Sequence, residues 1–203
     1  TVDVAVPLPD GRRVVGTLSE VYDGRLVAVG YSGLGAKHRV GAWVRLLAAA
    51  ADSPAEVREA LVVGSARGRR PAAAMSRLGV PEDPAGLLAA LVAVRDAGLC
   101  APIGLHLDAA EAAAASFTGG SDGRALNRAR YKYSKSFADP YAGLVFADDP
   151  AVKPDFEALR KAMPAVADLG AAAPLLPGSD ETEMFVRLAA LLFGPLLHEE
   201  SQR

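Results

Sequence analysis

Three short apolar-alternating runs, separated by two Asp-Gly turns, constrain the fold more than any other feature of the chain. Val2, Val4 and Val6 alternate with polar or small residues, the pattern of a half-buried strand. Pro9, Asp10 and Gly11 supply turn chemistry, with Gly11 free to take a positive φ. Residues 13–21 read as a second strand, with Val14, Gly16 and Leu18 on one face and Val15, Thr17 and Ser19 on the other. Tyr22, Asp23 and Gly24 close another turn, and 26–32 reads as a third strand. Strands joined this tightly predict an antiparallel meander.

Downstream, strands alternate with helices. Val40, Trp43, Val44 and Leu47 have helical spacing and predict a helix over 36–51. Residues 60–65 read as a fourth strand, turning near Gly68 into a return segment at 72–77. Asp83 and Pro84 have the form of an N-cap followed by Pro at the first helical position, and Gly98 is placed to stop that helix. Ile103, Leu105 and Leu107 alternate as a fifth strand would. Asp108 with Glu111, and Asp180 with Glu183, have capping-box spacing before helices. Residues 124–137 read as a basic helix and 156–163 as a short one, with prolines at 140, 150 and 154 in loops. Residues 164–179 read as a loose connection, and the last helix is expected to bend or end at Gly194 and Pro195. The expected class is therefore α/β (α+β): a mixed sheet with an antiparallel meander, flanked by helices, plus a helical C-terminal extension.

Composition narrows the function classes. The 203 residues are 51% hydrophobic and 23% charged, ordinary for a chain that builds a core. The longest apolar runs, 87–94 and 188–197, are too short to span a bilayer, so no membrane partner is expected. A single cysteine, Cys100, excludes an intrachain disulfide and a multi-thiolate zinc site, and a cytoplasmic location is the expectation. The chain opens at Thr1 without an initiator Met, as a piece of a longer protein would.

The net charge of −2 hides an alternation: +4 over 1–80, −5 over 81–123, +5 over 124–137 and −6 over 138–203. The basic stretch carries Arg124, Arg128, Arg130, Lys132 and Lys135, interleaved with Tyr131, Tyr133 and Phe137. Cations neutralise phosphate and exposed rings stack on unpaired bases, so this is the candidate nucleic-acid surface. The competing reading is an amphipathic helix in which Leu126, Ala129, Tyr133 and Phe137 are core, and its cations meet either DNA or an acidic protein surface. Arg67, Arg69 and Arg70 form a second cluster in the turn, suited to strand or backbone contact or to plain solvation.

Other chemistry is poorly supported. His38, His106 and His198 lack metal-ligand spacing, and neither a nucleophile elbow nor a Walker A loop occurs. Ser32 and Ser116 show no sequence context of His and Asp, and the glycines at 33 and 35 make a weak phosphate cradle. No metal and no cofactor is expected.

The order strand, strand, strand, helix, strand resembles the core of the PD-(D/E)xK (restriction-endonuclease-like) nucleases. Active members place one carboxylate on the second strand and Asp/Glu-x-Lys on the third. Alternate residues then share one face, two carboxylates hold a divalent cation, and the cation activates water. Here the corresponding residues are Ser19, Gly30 and Ser32, and Glu20 stands one residue out of step, which strand alternation would turn to the other side. No D/E-x-K occurs anywhere: two residues before the five lysines stand Gly35, Arg130, Tyr133, Ala151 and Leu159.

A nuclease-like core without its charges resembles the C-terminal domain family of RecC, the gamma subunit of exodeoxyribonuclease V, the RecBCD helicase–nuclease. The resemblance runs through the opening strands, 34–47 (LGAKHRVGAWVRLL), 94–107 (VRDAGLCAPIGLHL), the basic segment 126–137 and 191–198 (LLFGPLLH). It implies a degenerate nuclease-like core over 1–80, with 81–203 an α/β and helical extension packed on it in one structural domain. It also implies a catalytically silent scaffold and DNA-strand guide in double-strand-break repair, with RecB and RecD as partners and forked duplex or single-stranded DNA held weakly and without sequence preference. The fragment itself would be no enzyme, although the whole complex is an ATP-dependent helicase–nuclease. An active metal-dependent nuclease and a stand-alone protein-interaction domain are the alternatives.

Overall fold

A computed structural model describes residues 1–66, 72–117, 122–136, 140–147, 149, 151–179 and 181–201. Valine alternation sets the first hairpin. Val2, Val4 and Val6 turn inward from β1 (Val2–Pro7), and β2 (Arg13–Leu18) pairs antiparallel with it from Val2↔Leu18 to Pro7↔Arg13. The intervening turn uses Gly11 at φ 85° and Asp10, which accepts from the Arg12 backbone N–H at 3.0 Å and from its Nε at 2.8 Å. The hydrogen bond from the Arg12 side chain holds the Asp10 carboxyl below the usual carboxylate range.

The chain does not continue into a single meander. The second strand ends at Leu18 rather than at 21, because Glu20 takes φ 63° and turns the chain out of the pleat. β3 (Val21–Tyr22) and β4 (Arg25–Gly33) then form a separate hairpin. Asp23 and Gly24 take φ 47° and 72°, the two positive angles that a type I′ turn requires. β1 and β2 stand as a two-stranded sheet, and β3-β4-β5-β6 form a four-stranded one. α1 (Ala36–Asp52) is the crossover that makes β4 parallel to β5 (Glu59–Ser65), and β6 (Ala73–Gly79) returns antiparallel. The sheet is thus mixed, and with the helices the class is α+β.

α1 buries Ala42, Trp43, Leu46, Leu47 and Ala50, and it packs on β1 and β5. The inward row of the sheet, Leu26, Ala60, Val62 and Leu78, is buried in turn. Glu200 ties the C-terminal helix to this part of the chain, accepting from Ser76 Oγ and from Arg39 Nη1, each at 2.5 Å.

The chain divides into two units, Thr1–Ala89 with Pro195–Arg203, and Ala90–Gly194. α2 (Pro84–Cys100) begins as its sequence predicts, with Asp83 Oδ1 accepting from the Gly86 N–H at 2.8 Å. It runs two residues past Gly98, to Cys100, so Gly98 is helical rather than a stop: the roughly 1 kcal/mol penalty of glycine is small beside a continuous helix. Around α2, the second unit's apolar core gathers Ala90, Ala97, Leu169, Ala172, Leu176, Leu188 and Leu191.

The predicted fifth strand is absent. Residues 102–106 belong to no strand, and Gly104 N–H donates to the Ala162 carbonyl at 2.8 Å, just past the end of α6 (Phe156–Lys161). Leu107 opens α3 (Leu107–Ala114), and His106, not Asp108, caps it: His106 Nδ1 accepts from the Ala109 N–H at 3.3 Å. A Cβ on Gly104 would lie 2.2 Å from the Leu159 carbonyl oxygen. Gly104→Ala is therefore expected to destabilise the chain by about 1–3 kcal/mol through forced backbone displacement. An unchanged denaturation midpoint would contradict this close approach.

The loose connection and an end to the last helix at Pro195 also give way. The connection 164–179 contains a 3₁₀ stretch, Val166–Leu175, broken at Gly170 (φ 47°), because Leu169 and Ala172 find burial. α7 (Met184–Ser201) passes through Pro195 without ending; the burial of Phe193 and Leu196 on either side outweighs the missing backbone donor. Asp180 lies outside the described residues. Glu183 precedes α7, and its N–H donates to Asp122 Oδ2 at 2.7 Å.

Candidate functional site

Of the nuclease-like positions, one follows β2 and two lie in β4. Ser19 follows β2, exposed, with its Oγ 3.4 Å from Arg45 Nη2. Gly30 lies within β4. Ser32, near the end of β4, brings its Oγ to 2.9 Å from His38 Nε2. Glu20 belongs to no strand, so alternation does not decide its direction; it is exposed. Among the described residues no three His, Cys, Asp or Glu side chains converge as a metal ion would need.

The Ser32–His38 contact was invisible to spacing, since it spans the break between β4 and α1. Gly35 N–H points at His38 Nδ1 at 3.4 Å, and in the tautomer with the ring proton on Nε2 His38 donates to Ser32. The nitrogen where an orienting carboxylate would sit faces a backbone donor.

The second candidate is α4 (Asp122–Ser134), within the second unit. Its buried residues are Ala125, Ala129 and Tyr133, spaced by four along one face. Tyr133 is fixed from several sides. Its hydroxyl donates to the Pro154 carbonyl at 2.8 Å, and its ring meets His106 edge-on at 5.2 Å and Phe156 at 6.0 Å. Lys153 Nζ donates to the Tyr133 and Ser136 carbonyls at 2.5 and 2.8 Å, closing the helix's C-terminal end with positive charge. Tyr133 is thus core, as the amphipathic reading holds, with Ala125 in the place expected for Leu126. Phe137 lies outside the described residues.

The remaining cations separate by face. Arg130 Nη2 bonds Glu157 Oε1 at 2.5 Å and is committed to an ion pair. Arg124, Arg128 and Lys132 lie at i, i+4 and i+8 of α4, within an arc of about 80° at 3.6 residues per turn, and Lys135 follows in the turn after the helix. Arg124, Arg128 and Lys135 are exposed and Lys132 half so. Tyr131 sits in the same stripe, 61% exposed, with Lys135 Nζ 5.8 Å from its ring centre. A four-cation stripe with an accessible ring can bind a phosphate backbone and stack on a base, or dock on an acidic protein surface. Arg67, Arg69 and Arg70 lie outside the described residues; Ala66 N–H donates to the Ala72 carbonyl at 2.8 Å on either side of them.

A cleft of about 330 Å³ also opens in the second unit, lined by Ile103, His106, Tyr133, Tyr141, Val145 and Phe146 among others. His106 is held there as a helix cap. No helix among the described residues is long and apolar enough to cross a membrane.

Comparison with known proteins bears on the first half of the chain. The family model for the RecC C-terminal domain matches residues 1–118. The RecBCD enzyme subunit RecC of Mycolicibacterium smegmatis is 46% identical over 104 residues, 51% of this chain and 9% of that protein. The RecBCD enzyme subunit RecC of Mycobacterium tuberculosis is 43% identical over 106 residues, 52% of this chain and 10% of that protein. The aligned segment is thus about a tenth of the length of these relatives, and α4 lies beyond the family-model match.

Proposed function

The chain belongs to the RecC C-terminal domain family, and from that premise we propose that it is a catalytically silent scaffold and strand-guiding domain of a RecBCD-type helicase–nuclease in recombinational repair. The absence of charge at Ser19, Gly30 and Ser32 carries this reading. Phosphodiester hydrolysis on this kind of sheet needs oxygen ligands for a divalent cation, and two hydroxyls and a glycine provide no carboxylate. A domain that keeps the frame but lacks the ligands contributes surface: contact with RecB and RecD, and a basic track for DNA. The α4 stripe is the track, with Arg67, Arg69 and Arg70 a second contact. Arg130 takes part through its Glu157 pair, holding α4 against α6.

Co-expression of the chain with RecB and RecD from one genome tests the assignment. The expected result is a stoichiometric complex that survives size-exclusion chromatography. A folded chain that elutes alone would favour an independent interaction domain.

A further inference from the structure

The four-stranded sheet has a second face on which apolar side chains stand exposed. Register defines it: Val27, Leu61 and Arg77 form one row across β4, β5 and β6, and Val29, Val63 and Met75 form the next. Tyr31 follows in the β4 irregularity between Val29 and Gly33, fully exposed two residues beyond Val29. Val29 is 71% exposed, Tyr31 103% and Met75 63%. Isolated exposed hydrophobes are common, but Val29 and Met75 share one contiguous apolar platform with half-buried Val27, Leu61 and Val63, and Tyr31 stands at its end. The platform lies on a parallel β4/β5 pair, an arrangement that proteins cover on both faces, and α1 covers only the other one.

We propose that this outer face is the docking surface for one amphipathic α-helix of a partner polypeptide, with carboxylates flanking its apolar stripe. Size fits a single helix. Three strands span roughly 10 Å, about one helix diameter, and seven residues of β4 span about 20 Å, or roughly 13 residues of helix. Charge selects the flank. At one end of the platform Arg25 Nε lies 2.7 Å, and Arg77 Nε 3.7 Å, from the carboxylate of Glu59. Both arginine side chains stay about half exposed, at 50% and 45%, while Glu59 is 8% exposed beneath them. Two guanidiniums sharing one carboxylate leave a surplus positive charge facing outward beside an apolar surface, which an acidic side chain on the incoming helix would meet. Among the described residues, a second copy of this face brings Glu59, already held by both arginines, and Asp23 in the adjoining turn, against Arg25, Arg58 and Arg77, so self-pairing leaves positive charge uncompensated.

Photo-crosslinking in living cells tests the proposal. A benzophenone amino acid is placed at position 29, 31 or 75 of the protein, with position 15 on β2, equally exposed but off this face, as the control. Adducts are mapped by mass spectrometry. The expected result is that all three positions, and not the control, join one segment of another polypeptide. That segment should carry apolar residues at i, i+3, i+4 and i+7 and Asp or Glu within a turn of them. Tyr31→Asp, a change at a fully exposed side chain, should lower the adduct yield at position 29 by about ten-fold, as loss of an aromatic anchor does. Adducts confined to the protein's own polypeptide, to a second copy or to DNA would overturn the proposal, as would no adduct at any of the three positions.

Discussion

Trp43→Ala is expected to cost about 3–5 kcal/mol, because the ring sits in the core and the cavity cannot close around alanine. Trp43 is 1% exposed on the central turns of α1, beside Leu46 and Leu47 at 0%. α1 joins β4 to β5, so loosening it removes the support of the parallel pair as well as the ring's own transfer energy. Denaturant unfolding followed through the first unit's signal measures the loss. Val44→Ala on the same helix is the control; Val44 is 36% exposed, and surface changes of that kind stay within about 0.5 kcal/mol. A Trp43→Ala loss no larger than the control's would show that α1 is not seated on the sheet through this residue.

The parts of the fold that follow from periodicity were legible in the sequence. Valine alternation located β1, helical spacing around Trp43 located α1, and Asp83 with Pro84 located the start of α2. What escaped depends on single backbone angles or on remote partners. Nothing in the run 13–21 marks Glu20 as left-handed, yet its φ of 63° splits one expected meander into two sheets. Ile103, Leu105 and Leu107 alternate like a strand, but the hydrogen-bond partner of Gly104 is the end of a helix far along the chain. His106 takes the capping role that Asp108 promised, since the cap is decided by where the chain enters α3. For the candidate site, the basic composition of α4 was visible. Its division into a free stripe and a committed Arg130 was not, because Glu157 comes from another helix.

Reversing the stripe, with Arg124, Arg128, Lys132 and Lys135 all changed to Glu, is expected to weaken DNA binding by the chain at least about ten-fold at low salt. Single-strand binding by the unaltered chain should be weak, sequence-independent and salt-sensitive, and if all four cations meet phosphate they account for about −3 of the slope of log affinity against log salt. The reversed variant should lose that share of the slope and keep only what Arg67, Arg69 and Arg70 contribute. Tyr131→Ala should leave the slope unchanged while weakening single-strand binding by about 1–3 kcal/mol, the usual worth of one stacked base. Arg130→Glu should act through stability, since it breaks the pair with Glu157. Loss of assembly with RecB and RecD at unchanged DNA affinity would assign the stripe to a protein interface. No change in either would make it solvated surface.

The proposed catalytic silence is tested most directly by a nuclease assay on the purified chain, with linear duplex and single-stranded DNA and either Mg²⁺ or Mn²⁺. Ser19, Gly30 and Ser32 offer no carboxylate to either metal. The expected result is no metal-dependent release of nucleotides above a protein-free control at any metal concentration. Metal-dependent degradation that persists through repurification and tracks with the chain would contradict it.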